Sequence, residues 1–280
     1  MNEILTKALN PVILIFLVST MLACGLSLTL GQIFGPFRNV RLAISAAVAS
    51  YLLVPLTAVV VSRLIGIEEP LRYGLVLLSM AAGAEAGPKL TTNAKGNVGF
   101  SVGLLVVSLG ITIFYIPVML SLLLPEVHLD KVKLLVKLCL TVALPIVVGL
   151  FLKARVAGLA ERLNKYVHKI SSVFMILMAV LIIILNYKEM FLLVGSGAPL
   201  AAVIVILVSF IIGYLLGWPD RGTRLSMAFM HGGRNASIAL MIASQVFSDQ
   251  PKVLMMITLT VVLMLILLLP TSYLFKAKAE

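Results

Sequence analysis

From its first residues the chain alternates long apolar runs with short stretches of proline, glycine and charge. Nine runs stand out, at 11–34, 40–65, 71–95, 97–124, 132–153, 165–187, 197–218, 222–247 and 251–275. A helix needs about 20 predominantly apolar residues to cross a bilayer, and every run meets that length. None alternates apolar and polar residues in the two-residue period that a membrane β-barrel requires. The pattern predicts an all-α polytopic membrane protein with nine transmembrane helices. The opening MNEILTK leads into an apolar stretch longer than a signal-peptide core, and reads as the start of a retained helix.

Composition strengthens this picture. Of 280 residues 61% are hydrophobic and 12% charged, with a mean hydropathy of +1.14. Soluble domains are about half apolar and a quarter charged, so a soluble enzyme is excluded. Cys24 and Cys139 lie inside apolar runs and read as small buried hydrophobes, not as a disulfide or metal site.

The net charge of +11 would suggest nucleic acid as a partner for a soluble chain. Here its position across the membrane matters more. Odd-numbered loops and the C-terminus carry twelve basic residues, among them Arg38, Arg155 and Lys165, against three acids, a net +9. The opposite face carries eight basic residues, among them Lys131, Lys133 and Lys188, against seven acids, a net +1. The bias places the N-terminus outside and the C-terminus in the cytoplasm of a cell (inner) membrane. The lipid bilayer is the partner this charge implies, and no nucleic acid is expected. The connector at 153–169 reads either as an amphipathic helix lying on the cytoplasmic leaflet or as a basic loop that only enforces orientation.

Three charges remain inside the spans: Glu85, Lys89 and Arg234. Each costs roughly 2.5–3.5 kcal/mol on insertion scales, so each calls for a purpose. All three fall where glycine and polar residues interrupt a span. The third span (about 71–95) contains Ala82-Gly-Ala-Glu-Ala-Gly-Pro-Lys-Leu-Thr-Thr-Asn93, and the eighth (about 222–247) contains Met230-His-Gly-Gly-Arg-Asn-Ala-Ser237. Backbone freed at Gly87-Pro88 or Gly232-Gly233 survives only inside protein or beside a watery cavity. Paired broken helices in corresponding halves point to the midplane site of an inverted-repeat transporter, and free half-helix N–H groups there suit an anion. The reading is a four-helix repeat over 1–126 and a five-helix repeat over 127–280, each carrying one broken helix.

Glu85 and Lys89, four residues apart, either neutralise each other and pin the break or serve function. Arg234, without a local acid, either pairs with Glu85 across the repeats or grips an anion with its planar fork. His231 carries a proton or is simply hydrogen-bonded. Thr91, Thr92, Asn93 and Asn235 are expected to supply hydrogen bonds where the half-helices cross, with Asn97, Ser101 and Ser237 nearby.

At these residues the chain resembles the bile acid:sodium symporter family. The resemblance is carried by Ala94-Lys-Gly-Asn97 running into Val98-Gly-Phe-Ser101, and by Gly232-Gly-Arg-Asn-Ala-Ser237 ahead of Ala239-Leu240. It implies a core domain of crossed broken helices, a panel domain, and alternating-access transport of organic anions. It also implies that a missing first helix is a known variation. In the family's sodium-binding members a Ser-Asn pair follows the first break, and alignment places Gly87 and Pro88 there. A carboxylate falls at Met230, two glutamines at Arg234 and Ser50, and a threonine at Leu105, with only Ser101 and Asn235 kept. An arginine among sodium ligands opposes the ion: like charges about 4 Å apart repel by roughly 4 kcal/mol at an effective dielectric near 20. The expected carrier moves a small organic anion without the family's usual sodium sites and needs no cofactor. A sodium symporter with rearranged ligands is the alternative. An intramembrane enzyme would need clustered acids or a nucleophile beside a base, and His128 and His168 fall near loops. A channel would need charge rings or carbonyl filters.

Overall fold

The computed structural model describes residues 2–28, 31, 39–123, 130–185, 187 and 193–277, and among them no strand occurs. In lipid the backbone must satisfy its own hydrogen bonds, and helices do so within one segment. We number them α1 (Asn2–Ser27), α2 (Val40–Ile65), α3 (Glu69–Met80), α4 (Gly87–Asn93), α5 (Val98–Leu123) and α6 (Lys131–Arg155). There follow α7 (Ala157–Leu185), α8 (Ala198–Leu216), α9 (Arg221–Gly232), α10 (Ala236–Val246) and α11 (Pro251–Ala277). Among the described residues seven helices are long and apolar enough to cross a membrane. The expected third and eighth spans are the exceptions, split into α3 with α4 and α9 with α10.

Two boundaries differ from the sequence expectation. The connector at 153–169 is neither a separate surface helix nor a loop, because α7 takes it up from Ala157 and runs unbroken for 29 residues. No proline lies between Ala157 and Leu185, so nothing stops a helix once begun. The first helix stops at Ser27, short of the expected end at 34. Residues 29–30 and 32–38, including Arg38, lie outside the described set, as do the expected boundary at 126–127, His128 and Lys188.

Long helices α2 and α6 each contain a π turn, at Ala49–Leu53 and Cys139–Ala143, followed two residues later by Pro55 and Pro145. Proline has no N–H and crowds the carbonyl four residues earlier, so the extra residue of a π turn absorbs the clash. In α2 the carbonyl that Pro55 leaves without its helical donor belongs to Tyr51. The Tyr115 hydroxyl of α5 fills it at 2.6 Å.

The helices pack in two groups. One joins α1 with α6 and α7, and the other gathers α2, α3, α4, α5, α8, α9, α10 and α11. The close approach of α1 to α6 rests on two glycines. A Cβ on Gly25 would lie 2.3 Å from the Ile146 carbonyl oxygen, and one on Gly149 would lie 2.7 Å from that of Leu22. Small residues at such crossings let membrane helices gain packing contacts that lipid cannot supply. Outward, Phe114, Phe151, Leu215 and Ile266 present exposed apolar side chains suited to a hydrocarbon surround.

Candidate functional site

The site is built where the two breaks meet. Helix α3 ends at Met80, and the chain stays non-helical through Gly83 at φ +90° until α4 opens at Gly87-Pro88. Helix α9 ends at Gly232, Gly233 is extended, and Asn235 caps α10. A Cβ on Gly233 would sit 2.9 Å from the Ala84 Cβ, so the breaks approach as closely as backbone allows.

Asn235 stitches them together. Its backbone N–H donates to the Ala81 carbonyl at 2.8 Å and its Nδ2 to that of Gly83 at 3.1 Å. Its Oδ1 accepts from the Ile238 N–H at 2.9 Å and from the Ser237 hydroxyl at 3.0 Å. The carbonyls that lost helical partners in the first break thus find donors in the second. The Ser237 hydroxyl also lies within hydrogen-bonding reach of Glu85 Oε1, so the acid of the first break meets the second through Ser237.

Arg234 turns away from Glu85. The residue is 6% exposed, and its guanidinium donates through Nη1 to the Ser50 carbonyl at 3.4 Å, while Nε and Nη2 have no partner. That carbonyl belongs to the π turn of α2. His231 is fully buried beside it. The Met227 carbonyl lies 2.6 Å from its Nδ1, which donates to it, and Nε2 faces both the Ser50 hydroxyl at 3.1 Å and the Ala46 carbonyl at 3.2 Å. Neither of the ion pairs the sequence left open forms: among the described residues Glu85 pairs with neither Lys89 nor Arg234.

The remaining polar residues of the first half lie further along. Thr91 donates to Ser101 at 3.2 Å, which closes the α4–α5 hairpin. Thr92 bonds within its own helix to the Pro88 carbonyl, and Asn93 reaches Ser272 of α11 at 3.4 Å. Asn97 takes its N–H to the Gly222 carbonyl, accepts the Ser226 hydroxyl and caps Phe100, joining α5 to the start of α9. Helix α4 carries these residues away from the crossing, so of the four expected bridging side chains Asn235 is the one placed there.

Two cavities open along α1, one beside the crossing and one at the far end of α10. One, of about 380 Å³, is lined by Thr20, Cys24 and Ser27 of α1, by Glu85, Pro88 and Lys89, and by His168 of α7. The other, of about 540 Å³, is lined by Asn10 of α1, Lys133 and Lys137 of α6, and Ser244 and Gln245 at the far end of α10. From Asn10 to Thr20 is about 15 Å along α1, so the cavities lie at different depths. Sequence reading missed the α1 and α7 contributors. Thr20, Cys24 and Ser27 recur at helical spacing and form a weakly polar stripe that periodicity alone could have flagged. Among the described residues no group of three His, Cys, Asp or Glu is placed to hold a metal ion.

Met230, where the resemblance implies a sodium-binding carboxylate, packs against the first break. A Cβ on Gly87 would lie 2.2 Å from its Sδ, so the thioether fills the space beside the first break. Sodium calls for oxygen ligands, and this position offers sulfur.

The chain matches a chloroplastic "probable sodium/metabolite cotransporter" of Arabidopsis thaliana at 24% identity over 237 residues, covering 83% of this chain and 59% of the relative. A protein of the same name from Oryza sativa subsp. japonica matches at 29% identity over 143 residues, covering 51% of this chain and 35% of the relative. Neither alignment reaches two thirds of the relative's length. The model of the sodium bile acid symporter family matches residues 14–193, well over half of the chain, and the chain belongs to that family.

Proposed function

We propose that this protein moves a small organic anion across a membrane by alternating access, with fixed positive charge where relatives hold sodium. The family and the relatives are transporters, not enzymes. The observation that carries the reading is the crossing of the two broken helices through Asn235, beside a cavity that α1 and α7 of the other packing group close. Rocking of one group against the other would open that cavity to each side in turn. Counting each broken pair as one span gives nine, arranged as repeats over 1–126 and 127–280. In this reading α1, α6 and α7 form the panel domain and the other helices form the core. The loop charges then set the N-terminus outside and the C-terminus in the cytoplasm of the cell membrane.

Within the 380 Å³ cavity Lys89 is the charged contact for the anion, and Thr20 and Ser27 offer hydroxyls. Arg234 acts as a buried fixed cation on the far side of the crossing, held by the Ser50 carbonyl. Met230 lying against Gly87 and Arg234 against the Ser50 carbonyl support the reading that the protein's own side chains stand where sodium would be held. Uptake into proteoliposomes, screened over small carboxylates and sulfonates in sodium or choline medium, tests this; a strict sodium requirement would sink it.

A second reading, sodium symport with rearranged ligands, is favoured by the relatives' names and by Glu85 lying among the freed carbonyls of the first break. Sodium-dependent thermal stabilisation of the purified protein would support that alternative.

A further inference from the structure

The charges of the 380 Å³ cavity do not suit an anion alone. Glu85 lines it together with Lys89, and the two make no ion pair. Around Glu85, α4 brings Lys89, α7 brings His168, α1 brings Cys24, and α10 brings the Ser237 hydroxyl. Helix α5 contributes only apolar side chains, and Arg234 faces Ser50 on the other side. A space of that size is about 9 Å across, so an anion held by Lys89 lies within about 9 Å of the Glu85 carboxylate. At an effective dielectric near 20, repulsion at that distance weakens anion binding about twentyfold, and more at closer range.

The hydrogen bonds at the crossing accommodate Glu85 with or without a proton. The Ser237 hydroxyl has one hydrogen and two acceptors within reach, Glu85 Oε1 and Asn235 Oδ1. With an ionised Glu85 the hydroxyl donates to the carboxylate, and Asn235 Oδ1 keeps the Ile238 N–H. With a protonated Glu85 the chain closes: the carboxyl donates to Ser237 Oγ, Ser237 donates to Asn235 Oδ1, and Asn235 Nδ2 donates to the Gly83 carbonyl. Every donor then has an acceptor, and the links join both breaks.

We propose that Glu85 is the coupling carboxyl of this carrier and that the co-transported ion is a proton. This rests on the transport reading above. The carboxylate takes one proton from water on the side to which the cavity opens, forming an O–H bond. The anion binds at Lys89 beside the neutral carboxyl, and after reorientation the anion departs while the O–H bond breaks to return the proton to water on the other side. Because a protonated Glu85 binds the anion better, a bound anion holds the proton equally better. The two therefore move together.

The test uses the full chain in sodium-free proteoliposomes, with radiolabelled three- to six-carbon carboxylates and sulfonates as probes. Net uptake by wild type should rise about tenfold when the outside is brought from pH 7.5 to 5.5, and a protonophore should abolish the accumulation. Sulfonates that stay ionised should acidify a trapped pH dye as they enter. Glu85→Gln should lose gradient-driven accumulation while exchanging anion for anion at a rate that no longer varies with pH, which also shows that it folds. Glu85→Asp should restore acid-stimulated uptake. Exchange in wild type with net uptake indifferent to pH, or Glu85→Gln retaining proton-driven accumulation, would overturn the proton assignment and leave the transport reading standing. Absence of exchange by wild type for every probe would overturn both. A strong preference for amino acids over carboxylates of equal size would also overturn it, since a zwitterion would supply the positive charge itself.

Discussion

The backbone N–H of Asn235 lies 2.8 Å from the carbonyl oxygen of Ala81, so the cap of one broken helix repairs the broken end of the other. The Asn235 side chain adds the bond to Gly83 and caps Ile238. Asn235→Ala removes the cap and leaves the Gly83 carbonyl without its donor. The expected loss is about 2 kcal/mol, since a cap contributes about 1 kcal/mol and an unmet buried acceptor at least as much. Asn235→Asp keeps the cap oxygen and should fall between. Melting of the three proteins in one detergent decides the matter; an Asn235→Ala protein that melts with wild type refutes the stitch.

The α1–α6 crossing gives a second prediction. Space at Gly25 and Gly149 is closed by backbone, the Ile146 carbonyl on one side and the Leu22 carbonyl on the other, and backbone cannot rotate out of the way. Either residue replaced by Val should force the helices apart and destabilise by about 3 kcal/mol or more. Gly110, with open space around it, should accept Ala with little change. Equal melting temperatures for Gly149→Val and Gly110→Ala would contradict the close approach.

Much of this architecture was legible because lipid imposes simple rules. Gly87-Pro88 and Gly232-Gly233 cannot lie in hydrocarbon as continuous helix, so both breaks could be read directly, and the meeting of the two followed from their matching places. What spacing could not show was direction. Pairing of Glu85 with Arg234 was one of two open readings because both sit in breaks, yet after the extended Gly233 the Arg234 side chain reaches the π turn of α2, while Glu85 meets Ser237. Ser50 came into view through family resemblance, and Pro55 in the same helix holds the physical reason for the irregular backbone there. The reach of α7 back to Ala157 was left open by its basic residues, which read equally as a surface helix or a loop until the absence of a proline is weighed against them.

Asp220 gives a pH prediction outside the membrane-spanning segments. Its carboxylate caps α9, accepting the Thr223 N–H at 2.7 Å and the Thr223 hydroxyl at 2.9 Å, and these donors hold its pKa below the ordinary carboxylate value. A lowered folded value means stability that is present above the unfolded pKa and is lost as pH falls through the folded one. Asp220→Asn keeps a capping oxygen without the charge. Wild type should therefore be more stable by about 0.3–1 kcal/mol at pH 7, with the gap closing below about pH 4. A gap that is constant from pH 7 to 3 would show that the charge contributes nothing.

Arg234 supplies the last prediction, because its environment sets stability and function against each other. The guanidinium is buried with two nitrogens unpartnered, its single bond to the Ser50 carbonyl is long, and among the described residues it pairs with no acid. Replacing an uncompensated buried charge with an apolar side chain of similar length removes a desolvation cost. Arg234→Met is therefore expected to melt at the wild-type temperature or a few degrees above it, a shift of about 1–2 kcal/mol. Anion transport should fall more than tenfold, because the fixed positive charge beside the crossing is gone. Arg234→Lys keeps the charge but not the planar fork, and should retain part of the activity. Two outcomes would count against this assignment: a strongly destabilised Arg234→Met, which would make the arginine a structural clamp, or an Arg234→Met that transports with unchanged rate and affinity, which would leave its charge without a role.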